Sequence, residues 1–234
     1  MNRLKRIRRE EKLYHDQYFK EHTLFEQGTW LEKPVKTVME YYAEILNQEN
    51  PRVLDLGCGV GRNSIPIAQK MEPGFGKVVC VDLLESAIEK IMEYSRLYHV
   101  EEIVEAVQAD IGDFYIKENE YDYIFAVSSL EHVSSEQVLD YVLEGMAEGT
   151  KAGGINCIII NTDIEESLLD TREIIDPGFE VNIQAEKMLL KLNGKYQGWQ
   201  VLYQSTKPMS YQINRGEKKV SLQTNVATYV VQKI

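Results

Sequence analysis

The sequence predicts an α/β fold: a doubly wound, mostly parallel seven-stranded sheet of Rossmann-like type, with an N-terminal helical cap. Three observations predict it. Between residues 52 and 160, short apolar runs alternate with helical patterns, as in successive βα units. The first run, which contains Val53, Leu54, Asp55 and Leu56, leads into glycines at alternate positions, Gly57, Gly59 and Gly61. Carboxylates stand at the ends of the first three runs, at Asp55, Asp82 and Asp110, about one βα unit apart.

Residues 1–28 are polar and carry Tyr14, His15, Tyr18, Phe19, His22 and Phe25, which predicts one or two helices capping the fold; Gly28 ends them. Residues 29–234 form the main domain. From 30 to 46, Val35, Val38, Met39, Tyr42 and Ile45 recur at helical spacing, with Pro34 in the first turn. Pro51 introduces the first strand. After the glycines a helix carries Ile65, Ile67 and Ala68, and Pro66 lies early enough to cost little. Residues 77–81 read as the second strand, 86–98 as a helix, 104–109 as the third strand and 123–127 as the fourth. Ser134, with Gln137 three residues on, resembles a capping box for a helix running to about Glu148. Gly153 and Gly154 lead into a fifth strand over 156–160. Residues 161–198 are mixed and partly helical. Two closing strands, 199–204 and 224–231, flank a long excursion.

A chain of 234 residues can bury one sizeable core. Its 44% hydrophobic and 27% charged residues fit a globular protein. The net charge of −11 disfavours nucleic acid and anionic membrane as partners. The basic start, Arg3, Lys5, Arg6, Arg8 and Arg9, reads as a solvated helix face. No apolar stretch reaches the roughly 18 residues of a membrane span, and no apolar segment of a secretory signal follows the basic start. Cys58, Cys80 and Cys157 are odd in number and lie in or beside strands, so buried, reduced thiols in the cytoplasm are expected. No Cys/His spacing suggests a metal site. Oligomeric state has no sequence signature.

The glycine turn is where a ligand can approach bare backbone, beside the free N–H groups of the next helix. It is not a G-x-G-x-x-G dinucleotide fingerprint, because Arg62 stands where the third glycine would be. No Gly-Lys-Ser/Thr follows, so it is not a phosphate-binding P-loop. A carboxylate at the end of the second strand, Asp82, can accept from both hydroxyls of a ribose; the lesser alternative is a cap of the next helix.

These segments together resemble the successive motifs of class I S-adenosylmethionine-dependent methyltransferases. The resemblance rests on Asp55 to Gly61, on Asp82 after Val78, Val79, Cys80 and Val81, on Ala109, Asp110 and Ile111, and on Phe125, Ala126, Val127 and Ser128. It implies S-adenosylmethionine as cofactor and a methyl acceptor as partner. Gly57, Gly59 and Gly61 would let the backbone reach the methionine part, in a set that takes in Asp55, Arg62 and Asn63. Asp82 would hold the ribose and Leu83 lie on the adenine. Asp110 would take the adenine amino group and the Ile111 N–H a ring nitrogen. The Val127 carbonyl would face the methionine ammonium.

A narrower resemblance, to tellurite-resistance (TehB-like) methyltransferases, rests on Gly61 to Ser64, on the tail from Gly198 and Trp199 to Ala227 and Thr228, and on the Tyr-rich N-terminus. That family's closing hairpin carries a His-Arg pair where this chain has Tyr211 and Gln212, which weighs against oxyanion substrates. Leu130, Glu131, His132 and Val133 are similar to a segment of quinone-type O-methyltransferases. His132 can then serve as general base for a hydroxyl, bind a metal with Glu131, or simply line the pocket. Tyr14, Tyr18, Trp30 and Tyr211 are further acceptor-side candidates, or packing residues of the cap. The expected function is methyl transfer to a small-molecule acceptor by in-line displacement; the alternative is a cofactor-binding subunit or sensor without turnover. The sequence after the fourth strand, Ser128 to Glu131, is not the Asn/Asp-Pro-Pro-Tyr/Phe of base-methylating relatives.

Overall fold

The computed structural model describes residues 2–46, 48–216 and 218–234; Met1, where the expected cap begins, lies outside them. Strand β1 (Arg52–Leu56) is central. It pairs in parallel with β2 (Lys77–Asp82) on one side and β4 (Tyr121–Val127) on the other. Strand β3 (Val104–Gln108) extends the sheet beyond β2, and β5 (Thr150–Leu168) extends it beyond β4, both parallel. Then come β8 (Lys218–Gln232) and, at the edge, β7 (Gln200–Arg215), both antiparallel to their neighbours. The order is β3-β2-β1-β4-β5-β8-β7, seven strands on the main path. A two-residue strand, β6 (Ile174–Ile175), pairs with β5 off that path. Chain direction across the sheet reverses between β1 and β4, which opens a crevice at their carboxyl ends.

Side chains along β1 alternate between two cores, as the period of two demands. Val53 joins the core under α1 (Arg3–Glu21), α2 (Lys36–Ala43), α3 (Ser64–Ala68) and α4 (Glu85–Leu97). Leu54 and Leu56 face the core under α5 (Glu136–Gly149) and α6 (Ala185–Lys195). Burial on both faces explains why these strands read as continuous apolar runs. Phe19 and Leu24 of the cap belong to the first of these cores, so the cap shares its packing with the sheet.

Several boundaries differ from expectation. The N-terminal segment forms one helix, α1, and the helix expected over 30–46 is only α2, because Pro34 precedes its cap residue Val35. Helix α5 is capped by Ser135 rather than Ser134: the Ser135 hydroxyl accepts from the Val138 N–H at 3.3 Å. The excursion between the closing strands is no loop. Strands β7 and β8 stay paired from Gln200 with Gln232 to Arg215 with Lys218. Strand β5 likewise runs past the end of β4 and pairs with β8 as far as Leu168 with Val220. The result is an antiparallel arm beyond the carboxyl edge, with its own small core of Ile164, Phe179 and Leu222, backed by Ile213. Much of β7 is exposed, so no alternation marked it, and Pro208 is tolerated because β7 is an edge.

Candidate active site

A cavity of about 630 Å³ lies at the carboxyl ends of β1, β2 and β4, walled on the far side by α1 and the arm. The glycine turn forms its floor. Gly57 has φ +82°, Gly59 +52° and Gly61 +92°, conformations that disfavour a side chain. A Cβ on Gly57 would meet Ser129 Cβ at 2.3 Å, and one on Gly59 would touch Phe19 at 4.0 Å. Gly61 does not line the cavity; a Cβ there would press on Ile91 of α4 at 2.9 Å, so it lets the turn pack on the core.

Asp82 lines the cavity and binds the turn. One oxygen accepts from the Gly59 N–H at 2.8 Å and the other from the Leu84 N–H at 2.9 Å. It is not the cap of α4, whose cap residue is Leu84. Burial pushes its carboxyl above the usual range, against those two bonds. Asp55 is 1% exposed and sits behind the cavity wall, where it accepts from the Ser64 hydroxyl at 2.5 Å. Burial pushes Asp55 up to about 7. Asn63 accepts from the Val35 N–H at 2.8 Å, tying the entry of α2 to the glycine turn. Arg62 donates to the Trp30 carbonyl at 2.5 Å and lies 5.5 Å over its ring.

Leu83, Ile111 and Val127 all line the cavity. So does Asp110, one oxygen of which accepts from Arg8 of α1 at 2.6 Å and the other from the Gly112 N–H at 2.9 Å. Tyr14, Tyr18 and Trp30 line the opposite wall, with Tyr18 stacked on Trp30 at 5.1 Å. Tyr211 reaches the same space from β7.

His132 also lines the cavity. Its Nδ1 is 2.9 Å from a Glu180 carboxylate oxygen, and its ring stacks on Phe179 at 5.0 Å. Burial pushes the imidazole down, but the Glu180 hydrogen bond and the charges of Glu11 and Glu131 outweigh it and raise the ring to about 9. Glu131 is fully buried and accepts from the Asn161 side chain and backbone. Glu131 and His132 meet no cluster of metal-ligating side chains among the described residues.

Sequence reasoning missed a set of charged groups on this wall. Arg215 of β7 pairs with Glu166 of β5 at 2.6 Å and with Glu11 of α1. Arg8 pairs with Asp110 at 2.6 Å and lies 3.6 Å from Glu180. Burial raises the Glu11 carboxyl, but His15, His132 and Arg215 together hold it at about 2. The spacing of Arg8, Glu11, His15 and Tyr18 is that of one helix face and carried a signal. The basic run around Arg8 masked it.

Residues 53–154 match the family described as a methyltransferase domain. A curated relative, carboxy-S-adenosyl-L-methionine synthase of Citrobacter koseri, is 28% identical over 108 residues, 46% of this chain and 44% of the relative. The chain thus matches less than half the length of the curated relatives. TehB from Haemophilus influenzae has a similar structure, with TM-score 0.64 and 22% identity over 94% of this chain and 67% of that one. An S-adenosylmethionine-dependent methyltransferase from Clostridium acetobutylicum has TM-score 0.57 and 17% identity over 84% of this chain and 89% of that one. Both likenesses are of fold.

Proposed function

We propose that this chain, which carries a class I S-adenosylmethionine-dependent methyltransferase domain, moves a methyl group to a small-molecule acceptor by in-line displacement. The carrying observation is the cavity at the reversal of strand order, with bare glycine backbone on one wall and a half-buried carboxylate, Asp82, on the next. The residues present fit the cofactor. Gly59 leaves open space that a side chain would fill, Gly57 lets Ser129 close on the turn, and Asp82 retains lone pairs for a ribose diol. Leu83, Asp110 and Ile111 suit the adenine end, and the Val127 carbonyl suits an ammonium. Bound there, S-adenosylmethionine supplies a methyl group on an electrophilic sulfonium. What remains for the chain is to align an acceptor and exclude water. Tyr14, Tyr18, Trp30, His132 and Tyr211 are the groups that face that acceptor. We place the protein in the cytoplasm, where Cys58, Cys80 and Cys157, all buried and unpaired, would stay reduced.

Calorimetry with S-adenosylhomocysteine tests the cofactor site. Asp82→Ala should weaken binding by about 1–3 kcal/mol, the cost of leaving buried polar groups unpaired. Unchanged affinity would remove Asp82 from the site. Transfer of a tritiated methyl group to quinols, thiols or chalcogen oxyanions tests turnover. Carboxy-S-adenosyl-L-methionine synthases are named for a product made on the cofactor itself. Mass spectrometry of the cofactor after incubation therefore separates that reading from transfer.

A further inference from the structure

The ends of β4 and β5 carry a polar contact that no cofactor role explains. Asn161, on β5, and Glu131, in the short turn Leu130–His132 after β4, both line the cavity. Glu131 is 0% exposed. Its Oε1 accepts from the Asn161 backbone N–H at 3.3 Å and from the Asn161 side-chain amide NH2. That pair of contacts fixes which way the amide points. An oxygen that accepts the backbone N–H offers lone pairs to the side chain as well, so the NH2 faces Glu131 whether or not Oε2 holds a proton. The amide oxygen, Oδ1, is then turned away from Glu131. It has no partner among the described residues and is not sealed off from the cavity.

The charges around this wall are matched except at Glu131. Its Oε2 is buried without a hydrogen bond, and the side chain has no ion-pair partner among the described residues. The cations of the cavity lining are engaged elsewhere: Arg8 with Asp110, Lys12 with Asp16, Arg215 with Glu11 and Glu166. His15 contacts Glu11, and His132 contacts Glu180. Arg62 is the lining cation left without a carboxylate among the described residues, and it is held on the ring and carbonyl of Trp30. A ligand that brings positive charge to Asn161 therefore supplies the counter-charge that an ionised Glu131 lacks.

We propose that Asn161 accepts a hydrogen bond from the reacting group of the acceptor, and that the acceptor is an amine. This rests on the function proposed above and narrows its acceptor. An N–H can bond to Oδ1 while the nitrogen lone pair stays free for the methyl group. A deprotonated hydroxyl or thiol would instead set a negative charge beside Glu131 and find no donor on Oδ1. The nitrogen lone pair forms the bond to the methyl carbon, and the carbon–sulfur pair leaves on sulfur. The positive charge passes from sulfur to nitrogen, near Glu131, and the surplus proton then leaves to water. Glu131 is a positioning residue: it orients Asn161 and favours the charge that the nitrogen gains.

The test uses the full chain saturated with S-adenosylhomocysteine at neutral pH, the state left after transfer. Three probes have the shape of methylated products. N-methylbenzylammonium brings the charge and N–H donors, N,N,N-trimethylbenzylammonium the charge alone, and benzyl methyl ether neither. Calorimetry should find the first bound at least about tenfold more tightly than the other two, the scale of a hydrogen bond to a charged group. Asn161→Leu, which keeps the bulk and removes the acceptor, should weaken it to the level of the trimethyl probe. Glu131→Gln, which keeps the shape and removes the charge, should weaken both cations and spare the ether; it carries the test if Asn161→Leu does not fold. No binding of N-methylbenzylammonium, an ether bound as tightly, native selectivity in Asn161→Leu, or unchanged cation affinity in Glu131→Gln would each overturn the proposal. So would an equal loss of S-adenosylhomocysteine in Asn161→Leu, because Asn161 would then serve the cofactor. Failure of the native protein to bind S-adenosylhomocysteine would instead overturn the cofactor site.

Discussion

Asp55 and Asp82 lie one βα unit apart in the chain and do different physical work. Asp82 faces the cavity and satisfies two backbone N–H groups, so it fixes the turn while presenting a carboxylate to the cavity. Asp55 is sealed behind the turn, with the Ser64 hydroxyl as its partner. Its titration gives a testable sign. In the unfolded chain the group ionises near 3.8, whereas burial raises it to about 7 in the fold. Between those values the folded state keeps a proton that the unfolded state has released. The contribution of Asp55 to stability must therefore fall as pH rises through that window and level off above it. Asp55→Asn should lessen the fall in urea midpoint between about pH 5 and about pH 6.5, below the range in which His132 titrates. A variant with the native slope would mean that other groups set the pH dependence.

At the scale of elements, the arm and α1 are joined through Arg215. Its guanidinium binds Glu166 of β5 through two nitrogens and Glu11 of α1 through the third. Glu166 is 1% exposed, so removing its partner strands a buried charge. Arg215→Met should destabilise the protein by about 3–5 kcal/mol in denaturant unfolding. The double variant Arg215→Met with Glu166→Gln should regain most of that loss, because the stranded charge is then gone. Equal losses in the single and double variants would show that Arg215 acts through packing instead. The arm itself was not legible in the sequence. Residues 205–215 lie on an edge strand largely open to solvent, so neither alternation nor an apolar run marks them. Only pairing with β8, itself held by β5, reveals them as strand.

For the whole molecule, a ligand held in the crevice between β1 and β4, as proposed above, would couple its binding to the stability of the sheet. S-adenosylhomocysteine binding only the folded state should stabilise it by about 2.7 kcal/mol at one hundred times its Kd. For a chain of this length that is a rise in Tm of roughly 5–10 °C, readable by scanning calorimetry. No shift at saturating ligand would argue that the crevice is not its site. Among the described residues no helix is long and apolar enough to cross a membrane.

The parallel half of the sheet, the glycine turn and the carboxylates at the strand ends were readable in order, because each is a local pattern. Apolar runs report burial on both faces, positive φ needs glycine at Gly57 and Gly59, and one βα unit sets the spacing from Asp55 to Asp82 to Asp110. The cavity wall built by α1 and the arm was decided only by the tertiary structure. Arg8, Glu11, Glu166, Glu180 and Arg215 are residue types that ordinarily face water, and nothing in their spacing links Arg8 and Glu11, on one face of α1, to the other three. They meet because α1 folds over the crevice and the arm reaches beyond the end of β4. A network of ion pairs between distant elements has no period for a sequence to display.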